Sequence, residues 1–237
     1  MTVQTSLFDD ESLLDGAEGQ PAAGRAPVPP LTGVVRHQLA LGAWVDLLPG
    51  WLTGLDDLLP TLLNDVPWHA ERRPMYDRVV DVPRLLCFYA EHDPLPHPAL
   101  GTARSTLNAR YADELGEPFT TAGLCLYRDG ADSVAWHGDT IGRGRTVDTM
   151  VAILSLGSPR EFLLRPRGGG AAARAVAGRT DGSRPVSGAG TIRHTLQHGD
   201  LIVMGGSCQR TWEHAIPKTS RPVGPRVSIQ FRPRGVR

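Results

Sequence analysis

The sequence predicts one mostly β domain with flanking helices, of the sandwich or jelly-roll type. Five short segments after Pro118 are rich in β-forming residues and are bounded by Gly, Pro or Asp. Ahead of them, leucines recur at helical spacings of three and four. A chain of 237 residues is long enough for one core of this kind and short for two independent domains.

Two helices are predicted to precede the strands. The first covers residues 51–64, where five leucines line one face, and the second covers residues 103–115 and stops at Gly116. Residues 166–193 form a low-complexity stretch that is predicted to be a mobile loop between two strands. The predicted strands lie within residues 119–128, 148–157, 161–167, 200–206 and 226–232.

Composition narrows the class of protein. The chain is 41% hydrophobic and 21% charged, and no apolar run approaches a membrane span, so we expect a soluble globular monomer without a membrane partner. The acidic N-terminus lacks the basic start and apolar stretch of a signal peptide, which predicts the cytoplasm. Cys87, Cys125 and Cys208 form no C-x-x-C pair, so neither a disulfide framework nor a zinc ribbon is expected.

The first 30 residues differ from the rest of the chain. They combine acidic residues, Gly, Ala and the run APVPP, which bury too little apolar surface to offset the entropy of ordering. We therefore predict a disordered acidic tail over residues 1–30 and a folded domain over residues 31–237.

A metal site is indicated by His137 and Asp139, because residues two apart in an extended chain point to the same face. With the distant His214 they form a 2-His-1-carboxylate set, which leaves positions on iron open for a chelating cosubstrate and oxygen. An H-x-D pair also occurs often by chance. Residues 198–200 repeat the same H-G-D tripeptide nearer His214, and we interpret that copy as a structural turn, because it leads directly into an apolar strand.

The strand at residues 226–232 carries the strongest support for this site. Arg226, Ser228, Gln230 and Arg232 alternate with apolar residues, so one face is polar and the other apolar. An ordinary half-buried strand would turn its polar face to water. Two arginines on one face, one strand after a candidate metal ligand, instead suit a dicarboxylate, which guanidinium groups bind through paired hydrogen bonds.

Three separated blocks now carry a resemblance: LCLYRDGADSVAWHGD, GDLIVMGGSCQRTWEH and PRVSIQFR. In order and spacing they resemble the AlkB family of Fe(II)- and 2-oxoglutarate-dependent dioxygenases, which demethylate nucleic acids, and the chain is identified as a bacterial member. The resemblance covers residues 31–237. It implies a double-stranded β-helix core and an N-terminal nucleotide-recognition lid at about residues 66–100.

Site roles follow from the same resemblance, position by position. Fe(II), with O2 as a cosubstrate, would be held by His137, Asp139 and His214. The second cosubstrate, 2-oxoglutarate, would be held by Tyr127, Arg226, Ser228 and Arg232. The chain departs from the family where Ser228 and Gln230 replace Asn and Thr of an Arg-x-Asn-x-Thr-x-Arg motif, and where Cys125 replaces an Asn. A Ser hydroxyl still donates a hydrogen bond, so cosubstrate binding is expected to survive.

The substrate is predicted to be an alkylated base in DNA or RNA, single-stranded or flipped out of a duplex and stacked on a ring. Ile141 stands where some family members place an acidic residue that reads the damaged base. An apolar side chain cannot accept a hydrogen bond from an exocyclic amine, which leaves the identity of the base open. Each candidate substrate-contacting residue is also consistent with a core or surface position: Tyr76, Phe88, Tyr89, His97, Ile141 and Arg143.

Two features bear on partners. Residues 141–237 hold 16 Lys and Arg against 5 Asp and Glu, which suits a phosphate backbone but is equally consistent with a GC-rich genome. In the tail, Gln4, Leu7 and Phe8 resemble the Q-x-x-L-F peptides by which bacterial repair proteins dock on the sliding clamp. The alternative for the tail is a chance pentapeptide in a solvated segment.

Two rival functions stay open from the sequence. Ile141 is also compatible with an AlkB-like oxygenase that hydroxylates or demethylates a protein or a small molecule. A jelly-roll metal sensor without turnover is the other alternative, but a sensor has no need of two arginines for a dicarboxylate.

Overall fold

The structure, a computed structural model, describes residues 28–75, 78–140, 142–168 and 190–236. The strands of these ranges are β1 (Val35–Gln38), β2 (Ala43–Leu48), β3 (His69–Met75), β4 (Arg78–Tyr89), β5 (Thr121–Tyr127), β6 (Val134–His137), β7 (Val151–Gly157), β8 (Arg160–Pro166), β9 (Ile192–Leu196), β10 (Leu201–Gly206), β11 (Trp212–Ile216) and β12 (Arg226–Arg232). The α-helices are α1 (Leu58–Asp65), α2 (Pro98–Leu115) and α3 (Cys208–Thr211). Short 3-10 helices cover Ala40–Gly42 and Arg143–Arg145.

The strands form two facing sheets. The larger sheet has eight strands in the order β1-β2-β10-β7-β12-β5-β4-β3, and the smaller has four in the order β6-β11-β8-β9. The strand pairs of both sheets are antiparallel. This architecture confirms the predicted mostly β fold with a jelly-roll core and flanking helices.

Two apolar cores lie on opposite faces of the larger sheet. One packs the sheet against the helices and includes the fully buried Leu58 of α1 and Leu107 of α2. The other lies between the two sheets and includes Ile153 of β7 and Phe162 of β8. Because side chains alternate along a strand, neighbouring residues of one strand, such as Ile153 and Leu154 of β7, belong to different cores.

The predicted helices are confirmed in place, but their starts are wrong. The first begins at Leu58 instead of residue 51, because the preceding residues turn and pack on the β9–β10 connection, where the Leu52 N–H donates to the Gly199 carbonyl at 3.0 Å. The second begins at Pro98, which needs no N–H partner in a first turn, and ends at Gly116 with a φ of 77°.

The five predicted strands are confirmed as β5, β7, β8, β10 and β12. The remaining strands were not predicted, and β9 begins inside the segment assigned to a loop. Residues 169–189 of that loop and residues 1–27 of the predicted tail lie outside the described residues.

The predicted lid region, residues 66–100, contains the β3–β4 hairpin at the edge of the larger sheet. Its role in nucleotide recognition stays a prediction. In the described part of the chain, no helix combines the length and the apolar character needed to cross a membrane.

Candidate metal and dicarboxylate site

The pairing of β6 with β11 assembles the predicted triad. It places His137 directly opposite His214 in the smaller sheet, with the ring centroids 4.2 Å apart. Asp139 follows two residues after His137, and its Oδ1 lies 3.8 Å from His137 Nε2. One potential ligand atom from each of the three residues lies within 4.8 Å of the others, which is close enough to share one metal ion.

The histidine orientations suit ligation. His137 Nδ1 lies 2.8 Å from the carbonyl oxygen of Ala135. A carbonyl only accepts, so Nδ1 carries the proton and the Nε2 lone pair is left for a metal. The His214 ring stacks against Phe162, with centroids 5.4 Å apart, and this packing fixes its plane.

The electrostatic setting keeps Asp139 and His214 in their ligating forms. Burial alone would raise the pKa of Asp139, but the neighbouring Arg232 outweighs it and holds that pKa well below the ordinary value. Burial, together with the neighbouring His137, lowers the pKa of His214 to about 3. Asp139 is therefore an anion and His214 a neutral imidazole near neutral pH, as metal ligation requires.

Arg226 lines a pocket together with His137 and His214 and is fully buried. Its Nε donates to the Ser155 hydroxyl at 2.9 Å, and its Cζ lies 5.2 Å from the centre of the Tyr127 ring. Neither Nη atom has a hydrogen-bond partner among the described residues. A buried guanidinium with two free donors is costly unless a ligand completes it, and a carboxylate does so with two parallel hydrogen bonds.

The polar face of β12 points into the protein. Ser228 and Gln230 are buried, so the alternative of a polar face in water is wrong. Gln230 Nε2 donates to the Ser228 hydroxyl at 2.6 Å, and the Cys125 thiol lies 3.7 Å from Gln230 Oε1. The residues that replace the family's Asn and Thr therefore bond to each other and line the same pocket.

Arg232 connects this pocket to the triad. Its Nε donates to Asp139 Oδ2 at 2.8 Å, in an ion pair that is mostly buried. A side chain at Gly123 would come within 2.7 Å of Arg232 Nη1, so this glycine leaves the space in which the guanidinium lies. The pocket is therefore lined by His137, His214, Arg232 and Arg226, which fits a chelating dicarboxylate beside a divalent metal.

The sequence analysis missed one residue that lines the pocket and one that contacts Arg226. Arg84 of β4 lines the pocket, and its Nε is buried without a hydrogen-bond partner among the described residues. Ser155 of β7 orients Arg226. Neither belongs to a motif, and the strand pairing alone brings Ser155 opposite Ser228.

The candidate substrate residues do not all lie on the same side of the structure. Phe88 lies on the same face of β4 as Arg84 and is exposed, whereas Tyr89 points to the opposite face and packs against the helix-side core. His97 is buried and caps α2 by accepting from the Ala99 N–H, so the structure does not bring it to the pocket. Tyr76 and Ile141 lie outside the described residues, as do Gln4, Leu7, Phe8 and the side chain of Arg143.

The second H-G-D tripeptide has a structural role. His198 Nδ1 accepts from the Gly157 N–H at 3.0 Å. The Asp200 carboxylate accepts from the N–H groups of Gly50 and Gln197, each at 2.8 Å. These bonds join the β9–β10 turn to its neighbours, as the interpretation of a structural turn predicted.

Comparison with known protein families gives a match over most of the domain. The model of the 2OG-Fe(II) oxygenase superfamily matches residues 46–232, which include the triad and the whole of β12. Among solved structures, OsALKBH1 aligns with a TM-score of 0.52 and 13% sequence identity, over 84% of this chain and 100% of that one. At this identity the likeness concerns the fold alone.

Curated relatives are similar at the level of sequence. The human protein "Alpha-ketoglutarate-dependent dioxygenase alkB homolog 3" is 30% identical over 204 residues, which are 79% of this chain and 65% of the human protein. "DNA oxidative demethylase ALKBH2" of Arabidopsis thaliana is 32% identical over 137 residues, which are 54% of this chain and 42% of the plant protein. The chain thus spans 65% or less of the length of these two relatives.

Proposed function

Because the chain belongs to the 2OG-Fe(II) oxygenase superfamily and, within it, to the AlkB family, we propose that it oxidatively demethylates alkylated bases in nucleic acid. The observation that carries the enzymatic part is the buried Arg226, whose two Nη atoms lack a hydrogen-bond partner among the described residues and which lines a pocket with His137 and His214. The nucleic-acid part is supported by relatives whose names describe DNA demethylation.

We propose that different residues bind the distal carboxylate of the cosubstrate and the metal ion. Arg226 would bind the distal carboxylate of 2-oxoglutarate, with the Tyr127 hydroxyl and Ser228 beside it. His137, Asp139 and His214 would hold Fe(II), which with 2-oxoglutarate and O2 supplies the oxidising power that converts an N-methyl group to N-hydroxymethyl. That group then leaves as formaldehyde and restores the base.

The walls of the pocket favour a dry site. Val134, Ile153, Phe162 and Ile216 contribute apolar side chains around the triad and the arginines. Excluding water strengthens the interaction of Arg226 with a carboxylate and protects the reacting methyl group from side reactions.

The open side of the triad indicates where a substrate approaches. The His137 side chain is 37% exposed, whereas Asp139 and His214 are 4% and 6% exposed. A flipped base therefore meets the imidazole of His137 first, and stacking on that ring would partly offset the cost of leaving the base stack. Phe88 stays a candidate for the opposite face.

A panel of oligonucleotides tests this function. We expect the protein with Fe(II), ascorbate and 2-oxoglutarate to remove the mass of one methylene group from at least one N-methylated base and to release formaldehyde and succinate. His137→Ala, which loses a ligand without removing a core residue, should give neither product. Single-stranded and duplex forms of DNA and RNA in the panel identify the preferred strand.

A protein or small-molecule substrate is the second candidate, because Ile141 occupies a position where an acidic residue would read a base. Succinate formation that depends on Fe(II) but leaves every oligonucleotide unchanged would favour this candidate. Absence of any Fe(II)-dependent succinate would contradict both.

We also propose that the N-terminal tail docks on the sliding clamp through Gln4, Leu7 and Phe8, which lie outside the described residues. The full-length chain should bind immobilised clamp, and Phe8→Ala should weaken this binding by about tenfold or more, since a buried aromatic anchor contributes much of the energy of such a contact. Equal binding by the two chains, or none by either, would contradict the proposal.

A further inference from the structure

Gln209, in the short helix α3, is 1% exposed and lies against the triad without belonging to it. Its Oε1 accepts a hydrogen bond from the backbone N–H of Asp139 at 2.9 Å, in a buried setting. We propose that Gln209 is a positioning residue that sets the metal affinity of the site through the backbone of Asp139. This inference rests on the metal centre of the proposed function and is independent of the substrate.

The bond determines how the Gln209 amide is turned. The N–H of Asp139 is a donor, so only the carbonyl oxygen of the amide can face it. The amide nitrogen then points to the sulfur of the buried Met204, 3.8 Å away, which is a weak acceptor. Without Gln209, the buried N–H of Asp139 would lack an acceptor, and the turn that carries the carboxylate would shift to find one.

The helix that presents Gln209 is itself anchored. The Ser207 hydroxyl donates to the carbonyl oxygen of Leu41 at 2.6 Å, and the Trp212 indole donates to that of Ala40 at 3.1 Å. A side chain at Gly138 would overlap the carbonyl oxygen of Gln209, so the turn between His137 and Asp139 lies directly on α3. The helix therefore holds the turn by close contact as well as by the hydrogen bond.

Asp139 is consequently held at two ends by different residues. Arg232 fixes the carboxylate through Oδ2, and Gln209 fixes the backbone, which leaves Oδ1 towards Nε2 of His137. Arg232 also lines the pocket, so its replacement changes the dicarboxylate site and the metal site together. Gln209 is not among the pocket-lining residues, so its replacement should leave the cosubstrate site intact. Loss of its bond to the Asp139 backbone should weaken metal binding.

The test is a titration of the full-length, metal-free protein with Co(II), followed by the d–d absorption of the bound ion. Gln209→Met keeps the length of the side chain but removes the oxygen, and we expect its Kd for Co(II) to rise about tenfold or more, as for other residues that orient a ligand. Gln209→Glu keeps an oxygen at the same place and should bind Co(II) much more tightly than Gln209→Met. Arg210→Ala is the matched control on α3, since the Arg210 side chain pairs with Asp148 near the surface.

Four results decide the outcome. Circular dichroism should show each variant folded at the titration temperature, and the KM for 2-oxoglutarate at saturating metal should stay at the wild-type value in Gln209→Met. A wild-type Kd for Co(II) in Gln209→Met would overturn the proposal. An equal loss of affinity in Arg210→Ala would also overturn it, because the effect would then belong to α3 as a whole.

The proposed metal centre can fail separately from Gln209. A reference titration with His137→Ala should abolish the Co(II) spectrum of the wild type. An unchanged spectrum in that variant would place the ion elsewhere and contradict the metal centre itself, whatever the Gln209 variants show.

Discussion

Replacing Arg226 with methionine is expected to raise the KM for 2-oxoglutarate by about 100-fold or more, because removing one partner of a buried, hydrogen-bonded charge pair costs about 2–5 kcal/mol. The guanidinium is fully buried, and both of its Nη atoms are available to a carboxylate. The same substitution should barely affect the ligand-free fold, because it removes a buried charge whose two Nη atoms lack a hydrogen-bond partner among the described residues.

The combination of two measurements makes this prediction specific. Succinate formation gives the KM, and thermal unfolding with Mn(II), with and without the inert analogue N-oxalylglycine, gives the stabilisation by ligand. We expect wild-type protein to melt higher with the analogue and Arg226→Met to show no such rise. Its ligand-free melting temperature should equal or exceed that of the wild type.

Arg160 provides a matched control for Arg226. It is also a buried arginine close to Tyr127, but its guanidinium donates to the carbonyl oxygens of Asp129, Asp132 and Pro217. Arg160→Met should therefore lower the ligand-free melting temperature. The fraction of this variant that folds should still melt at a higher temperature when N-oxalylglycine is added. A large loss of ligand-free stability in Arg226→Met would show that Arg226 is structural, and a normal KM would remove it from the cosubstrate site.

The second large effect is expected at His214. His214→Ala removes one of three ligands, and we expect it to weaken Co(II) binding by about 100-fold or more and to abolish succinate formation, because metal ligation by side chains depends on the complete set. The matched control is His198→Ala, which changes the histidine of the second H-G-D tripeptide, residues 198–200. It should bind Co(II) as the wild type does.

The replacement of His198 should also lower the thermal stability of the protein. His198 accepts from the Gly157 N–H, and losing that acceptor costs about 1–3 kcal/mol, which lowers the melting temperature of a domain of this size by several degrees. Titration with Co(II) and thermal unfolding of both variants check the pair. Loss of metal binding in His198→Ala with retention in His214→Ala would reverse the assignment of the ligand.

Strand periodicity was sufficient to predict that the two arginines of β12 share one face. The alternation of residues 226–232 puts Arg226 and Arg232 on one side of β12 in any antiparallel sheet, and the structure places both in the pocket. The spacing of two between His137 and Asp139 likewise follows from local geometry. These features could be predicted because they depend on neighbouring residues within one segment.

Local patterns could not choose between the H-G-D tripeptide of His137 and that of His198. The choice depends on which of the two lies opposite His214, and the pairing of β6 with β11, about 80 residues further along the chain, is decided by the packing of the two sheets. The same reason explains why residues 51–57 were assigned to a helix, since Leu52 and Leu55 are buried in the core without belonging to a helix.

Some residues around the site could be identified only from the tertiary structure. Arg84, Ser155 and Gln209 lie on three elements that are remote in the chain, and none carries a spacing that relates it to the triad. Arg84 lines the pocket, whereas Ser155 and Gln209 contact Arg226 and Asp139 across the space between elements, and such contacts leave no periodic trace in the sequence. Short motifs therefore predict which residue types form the metal and dicarboxylate site. The arrangement of these residues in space is decided by how the two sheets and α3 pack together.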